Sequence, residues 1–196
     1  MGKFDGVDFR VLPVQSLDPE SPPDGAGFRP VRPEFATCWK RGRILREVKA
    51  DLNQCWYLEH TGSLAGYITL LADRFFADAA LLVDEGIKYK SFPAVKIGLL
   101  AADDRAKGAG KRLMLWALDY IVKKVAPAVG VRFATVDALF DPDTGNDTSG
   151  YYQRFGFTLI TTDNAPDNTM PFRTMFLDLK PLLDRHRAFL AGDRKL

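Results

Sequence analysis

The sequence predicts one mixed α/β domain over residues 1–196. Three observations predict it. Residues 94–102 are almost wholly apolar and lead through a glycine-bearing turn into an apolar stripe at helical spacing. Residues 55–60 and 65–72 are strand-like runs joined by Thr61-Gly62-Ser63. Residues 131–140 form a further apolar run that enters a turn cluster and a short helix. A chain of 196 residues is long enough to close a sizeable core in one domain.

Taken in order, residues 7–14 read as a first strand. Residues 16–33 carry Pro19, Pro22, Pro23, Pro30 and Pro33 among acidic residues and glycines, which makes a long loop of a kind that is often functional. A helix is expected from about 36 to 54, with Ile44, Leu45, Val48 and Leu52 as its apolar face and Lys40, Arg41, Arg43, Arg46 and Lys49 crowding the rest. That basic face is either solvated or a contact surface for a polyanion or an acidic partner. The hairpin over 55–72 follows, and residues 75–83 are ambiguous between helical turn and strand. The run 94–102, bounded by Pro93 and Asp103-Asp104, reads as a strand covered on both faces. Leu113, Met114, Ala117, Leu118, Ile121 and Val125 mark the face of the next helix. The strand over 131–140 holds one interior acid, Asp137. Residues 141–150 form a turn cluster, and a short helix through Tyr151-Tyr152-Gln153-Arg154 is closed by Phe155-Gly156-Phe157, with Gly156 at the C-cap. Residues 157–162 and 172–179 are final strands. A C-terminal helix from about 181 has Leu182, Leu183, His186, Phe189 and Leu190 on one face, where His186 reads as packing rather than as a ligand.

Composition excludes several functions. Hydrophobic content of 46% with 27% charged residues is that of a globular chain in water, and a net charge of +2 argues nucleic-acid binding only through a local patch. Cys38 and Cys55 make no disulfide framework, and with His60 and His186 they make no metal-ligand set, which argues against a zinc enzyme and for a reducing cytoplasm. No apolar run approaches membrane-spanning length, and no membrane partner is expected. The first six residues lack a signal-peptide pattern, and Gly6 stands where myristoylation of Gly2 needs Ser or Thr.

The turn after residue 102 brings free backbone N–H groups and the positive end of a helix dipole to one point. Gly108 and Gly110 allow close approach to the main chain, and Arg105, Lys107 and Lys111 add full charges. This is the pattern of an anion site, above all for a phosphate or pyrophosphate. A Walker loop fails on Arg105 and Arg112, and a dinucleotide fingerprint fails on Leu113. Arg-x-x-Gly-x-Gly remains: Arg105, Gly108, Gly110. An ordinary strand-to-helix turn with solvated cations would carry the same charges.

Arg105-x-x-Gly108-x-Gly110 after Leu100-Ala101-Ala102 resembles the acyl-CoA pyrophosphate loop of the GNAT superfamily of N-acetyltransferases. Tyr151-Tyr152-Gln-Arg-Phe-Gly-Phe is similar to the aromatic signature that ends a later helix of that fold, and one helix and one strand separate the two motifs, as they do in the family. The resemblance covers about residues 66–159. Within it, 92–103 and 129–139 look like the branch containing toxins that acetylate aminoacyl-tRNA, and the strand Gly66-Tyr-Ile-Thr-Leu agrees. Residues 15–55 depart from that branch, since its early Phe-x-Cys-Gly-like segment is not evident and the proline-rich loop is extra.

The resemblance implies a single GNAT domain: a mixed, mostly antiparallel sheet of about six to seven strands flanked by helices. It implies acetyl-CoA as cosubstrate, with the pyrophosphate on Arg105, Lys107, Gly108, Ala109, Gly110, Lys111 and Arg112. The pantetheine arm would pair with Leu100, Ala101 and Ala102, where a backbone N–H could also stabilise the oxyanion. Tyr152 is the expected general acid towards the leaving thiolate, a phenol near ~10 against a thiol near ~8.5, with Tyr151 as the fallback. Asn146 is expected either to cap the helix after it, the preferred role, or to touch the pantetheine.

A general base is missing, because 94–102 holds no acid; Asp137 is the nearest interior carboxylate, and ordered water is the alternative. That gap favours an α-amine near ~7.7–8.0 over a lysine near ~10.4. The acceptors therefore rank as aminoacyl-tRNA, then small-molecule amines, then protein. An antitoxin-like partner and a homodimer stay open, and the rival from another class is a non-catalytic module that binds acyl-CoA.

Overall fold

A computed structural model describes residues 3–76, 81–160 and 170–193. Gly2, part of the ambiguous stretch at 77–80, the predicted strand end at 161–162, and Arg194 and Lys195 lie outside the described residues. The chain divides into two compact units, Met1–Leu71 with Ile97–Tyr120 and Ala72–Lys96 with Ile121–Leu196.

The first unit opens on turns rather than on the strand expected over 7–14. The Arg10 N–H donates to Asp8 Oδ1 (3.0 Å), which closes a turn. Phe4 and Phe9 are buried while Val11 is exposed, so the alternation pins turns instead of a ladder. Only Gln15–Ser16 (β1) pairs as a strand, antiparallel to Gln54–His60 (β2). The single helix expected over 36–54 is two, α1 (Pro33–Lys40) and α2 (Arg43–Lys49). Gly42 breaks it, with a left-handed φ of 64°. Ile44 and Val48 are buried as expected, whereas Leu52 lies past the end of α2 and is exposed. β2 and Ser63–Phe76 (β3) form the expected hairpin. Its turn is Thr61-Gly62 alone, with φ of 48° and 74°, so Ser63 belongs to the strand. The core of this unit gathers Phe28, Trp39, Ile44, Tyr57, Leu64 and Tyr67.

Ser91–Ala102 forms β4 and Ala109–Tyr120 forms α3. β4 is less covered than its composition suggests: Gly98 is exposed, and Leu99 and Leu100 are half-buried. Leu113, Met114, Ala117 and Leu118 of α3 are buried, as their spacing predicts.

The second unit continues with a widened helical turn over Ile121–Val125 and a short α4 (Ala126–Val129). Pro127 has no N–H to give to the preceding turn, which accounts for the widening. Phe133–Asp141 is β5, Asn146–Asp147 is β6, Ser149–Gln153 is α5, Thr158–Leu159 is β7, Phe172–Asp178 is β8 and Lys180–Asp193 is α6. Its core is a nest of rings: Phe75 lies 5.1 Å from Phe133 and 5.3 Å from Phe176, and Phe92 lies 5.4 Å from Phe133. Among the described side chains of α6 only Leu183 is buried; Phe189 and Leu190 are exposed, so the predicted face is used only at its start.

Strand neighbours follow the order β1-β2-β3-β4-β5-β8-β7, with β6 on β5. The β1/β2, β2/β3, β5/β6, β5/β8 and β7/β8 pairs are antiparallel. This is the mixed α/β architecture with a mostly antiparallel sheet that the sequence predicts. The eighth strand is the two-residue β6, inside the stretch expected to be all turn.

Candidate active site

The first motif is built on the end of β4, Leu100 to Ala102. Thr69 Oγ1 accepts the Leu99 N–H (2.8 Å), a side chain standing in for a ladder carbonyl. The Asp103 N–H donates to Ala65 O (2.9 Å), so residues 99 and 103 turn their amides towards β3. Strand alternation then aims the amides of Leu100 and Ala102 at the opposite edge. At Gly66 a Cβ would stand 2.8 Å from Ala101 O, so only glycine lets β3 approach there. Leu100 and Ala102 are half-buried and Ala101 is buried.

The turn that follows is organised by Asp103, whose side chain is fully buried. It accepts from Arg105 Nε and Nη2, both at 2.7 Å, from the Arg105 N–H (3.1 Å) and from the Arg29 N–H (2.9 Å). Burial alone would raise its pKa; the Arg105 guanidinium and the two amides outweigh that and hold the carboxyl below its usual range. Arg105 Nη2 also donates to Gly27 O (2.7 Å), and its guanidinium lies 5.7 Å from the Phe4 ring centre. Arg112 donates to Leu12 O at 3.3–3.4 Å. Two of the four cations of the motif are thus committed to protein acceptors. Lys107 and Lys111 are exposed and make no ion pair among the described residues. Gly108 has a left-handed φ of 93°, with nothing within 4 Å of where a Cβ would stand. Among the described residues the N–H groups of Lys107 and Gly108 have no acceptor. Ala109 is buried as the first residue of α3, and Gly110 lies in its first turn. The turn therefore presents open amides, two open lysines and a helix N-terminus, which is what an anion requires.

The second motif is α5 and its exit. The Ser149 N–H donates to Asp147 Oδ1 (2.8 Å), and Asp147 is clasped by Arg173 Nη1 (2.7 Å). Asp147 thus receives the first amide of α5, while the N-cap position itself is Thr148 and makes no side-chain cap bond, so Asn146 is not the cap. Asn146 is exposed and pairs with Asp141 on β6, because the cluster closes as a small hairpin before α5 begins. Gly156 takes the left-handed conformation expected at the helix exit, φ 89°, and donates to Gln153 O. Tyr151 and Tyr152 meet edge-on at 5.2 Å, and Tyr152 packs at 6.1 Å against the buried Phe157. Tyr151 buries its hydroxyl without a partner among the described residues, and burial pushes its pKa to about 12. Burial raises Tyr152 further, helped by the Tyr151 and Asp137 charges. The sequence-level value near ~10 is therefore too low for Tyr152, and its phenol stays protonated well above neutrality.

Asp137 has both oxygens engaged, Oδ2 by Lys96 Nζ (2.5 Å) and Oδ1 by Thr174 Oγ1 (2.9 Å). Sequence reasoning missed Asp73 on β3, whose Oδ2 accepts from the fully buried Thr135 Oγ1. Its only signal is one acid interrupting an apolar strand run. No group of histidine, cysteine or carboxylate side chains suited to a metal occurs among the described residues. No helix among them is long and apolar enough to cross a membrane. His186 lines a cleft of about 470 Å³ in the second unit, with Val122, Arg132 and Leu183, and neither motif contributes to it.

No family model and no curated protein matches the chain. Solved structures do, and they show that the chain has the GNAT fold. AtaT complexed with acetyl-methionyl-tRNAfMet and a tyrosine-to-phenylalanine mutant of KacT each superpose with a TM-score of 0.71 at 21% identity, over 87% of this chain and 96% of theirs. A mutant of the AtaT toxin bound to acetyl-CoA and to the C-terminus of the antitoxin AtaR superposes with a TM-score of 0.66 at 20% identity, over 87% of this chain and 94% of its own.

Proposed function

We propose that this chain is an acetyl-CoA-dependent N-acetyltransferase whose acceptor is the α-amine of an aminoacyl-tRNA. The observation that carries the reading is the turn around Gly108, where two amides and two lysines without partners among the described residues surround open space at the start of a twelve-residue helix. A pyrophosphate suits those donors. The fold supports the reading, since similar structures hold acetyl-CoA and an acetylated aminoacyl-tRNA.

In the proposed reaction the acceptor nitrogen attacks the acetyl carbonyl, a C–N bond forms and the carbonyl oxygen becomes an oxyanion. The amide of Leu100 or Ala102, on the side of β4 away from β3, is the proposed donor to it. The C–S bond then breaks, and the sulfur takes a proton from Tyr152 while the nitrogen loses one. With its raised pKa, Tyr152 gives up that proton only as C–S cleavage builds charge on sulfur, and it acts as a hydrogen-bond donor before then. Asp137 is already paired on both oxygens, so the proton of the amine leaves through water. An amine of low pKa suits such a site.

An antitoxin-like protein partner and a cytoplasmic setting belong to the same proposal. The engaged state of Asp137 also favours a second reading, a module that binds acyl-CoA without turnover. One experiment separates them: transfer of radiolabelled acetyl from acetyl-CoA to a panel of charged tRNAs, polyamines and peptides. Label on aminoacyl-tRNA alone supports the first reading, and label on none, with acetyl-CoA still bound, supports the second.

A further inference from the structure

A row of polar side chains crosses one face of the sheet in the second unit. β4 lies between β3 and β5, yet Asp73 Oδ2 on β3 accepts the Thr135 hydroxyl on β5 across that strand. Asp137 stands two residues after Thr135 on the same face, about 7 Å along β5. Lys96 Nζ on β4 and Thr174 Oγ1 on β8 hold its two oxygens. Arg74 is turned to the opposite face, where its guanidinium lies 5.1 Å from the Phe76 ring centre. The row thus sets two carboxylates against one ammonium, and one negative charge is left over. That charge has an open position. Asp73 is half-buried, makes no ion pair among the described residues, and has no donor there to its Oδ1, whereas both Asp137 oxygens are taken. Thr135 is wholly buried, so its hydroxyl serves to orient the Asp73 carboxylate. The row also reaches the proposed acid, because α5 packs on β5 and the Asp137 charge is felt at the Tyr152 phenol. An oriented carboxylate with one open oxygen suits a protonated primary amine, which brings it both charge and N–H donors.

We propose that Asp73 recognises the acceptor, its Oδ1 receiving the ammonium of the incoming α-amine while Thr135 fixes the carboxylate. This rests on the acetyltransferase reading above and adds to it a preference for acceptors that arrive charged. Lys96 and Asp137 offset each other, so Asp73 supplies the net charge that the ammonium meets. The proton still leaves through water, and Asp73 holds the amine in place while it goes.

The test is steady-state acetylation by the full chain, with aminoacyl-tRNA and spermidine as acceptors, beside Asp73→Asn and Asp73→Glu. Asp73→Asn keeps the shape and can still accept the Thr135 hydroxyl, but it loses the charge. Its KM for aminoacyl-tRNA is expected to rise at least about tenfold, the scale of one charge-assisted bond, with coenzyme A affinity and kcat little changed. In the unaltered enzyme that KM should climb as pH passes ~7.7–8.0, where the α-ammonium loses its charge. The climb should vanish in Asp73→Asn and return in Asp73→Glu. An unaltered enzyme whose KM ignores pH, or an Asp73→Asn variant that keeps the original KM and its climb, overturns the inference and leaves the acetyltransferase reading standing. A KM raised by one factor at every pH also overturns it, since Asp73 then only supports the fold. Spermidine acetylated with the same dependence on Asp73, and aminoacyl-tRNA untouched, upholds the recognition of an ammonium and replaces the acceptor. Acetylation of neither overturns both readings.

Discussion

Asp103 and Arg105 clasp each other two residues apart, with Nε on Oδ1 and Nη2 on Oδ2, both at 2.7 Å. The arginine that heads the glycine motif is thus held by its own strand end rather than presented to a ligand. Its remaining bond, to Gly27 O, ties the proline-rich loop to the same point. The pair acts on the shape of the turn, and the open amides and lysines are left for the proposed anion.

Removing Asp103 is expected to take the closest partner from a half-buried guanidinium, which keeps only Gly27 O and, at 3.7 Å, the exposed Asp104 carboxylate. Asp103→Ala should cost about 2–4 kcal/mol of stability, read by urea unfolding. The pH dependence follows from the sign of the shift. Because the folded carboxyl is held below its unfolded value, its contribution is full above about pH 5 and fades as pH falls through the folded value. Asp103→Ala should therefore flatten the acid limb of the stability curve. An unchanged acid limb would show that other carboxylates control it.

Gly108→Glu places a carboxylate and a strained φ in the middle of the proposed pyrophosphate site. Acetyl-CoA affinity is expected to fall by about a hundredfold or more, measured by calorimetry on folded protein. Gly108→Ala carries the strain without the charge, so a much smaller loss there assigns the effect to the anion. Equal losses in the two variants would assign it to the backbone.

Tyr152→Phe keeps the ring packed on Phe157 and removes the proton. Turnover should drop by ~10²–10⁴ while acetyl-CoA still binds. The raised pKa adds a second expectation for the unaltered enzyme: deprotonating Tyr152 abolishes the acid, so activity should hold through about pH 10, the ordinary phenol value, and fall only above it. An alkaline limb that begins below the ordinary phenol range and survives in Tyr152→Phe would belong to another group.

Changing Arg41, Arg43 and Arg46 to Glu tests the basic helices. Arg43 is already paired with Glu47, and Arg46 donates to Arg41 O, so part of this face is neutralised or structural. Retention of charged tRNA at low salt should still decrease. Its salt dependence should become shallower by ~0.7–0.9 in log–log slope for each phosphate that the variant no longer neutralises. Equal retention by both proteins would move the RNA-binding surface elsewhere.

The central strand, turn and helix were legible in the sequence because each has a local cause: an apolar run, glycines in place, a 3.6-residue stripe. Gly156 and the Thr61-Gly62 turn were legible for the same reason. What escaped depended on partners distant in sequence. Residues 7–14 alternate like a strand, but no neighbour accepts them as one, and Asp8 closes a turn instead. Asn146 reads as the cap on paper; β6 pairing takes it away, and Asp147, held by Arg173 26 positions on, receives the first amide of α5 instead. Arg105 reads as a ligand until Gly27, 78 positions earlier, is seen to hold it. The same distance hides the altered acidity of Tyr152, which is a property of burial and not of spelling.

Those long reaches also set an order of events during folding. The anion turn is finished only when Arg29 meets Asp103, 74 residues apart, and Leu12 meets Arg112, 100 apart. Closures of that span are slow and entropically costly compared with forming the hairpin or α3. A ribosome-bound chain would thus carry its early loop and N-terminal segment undocked until residue 112 had emerged. Ligand binding at the turn should consequently be acquired only after the hairpin and α3 have formed.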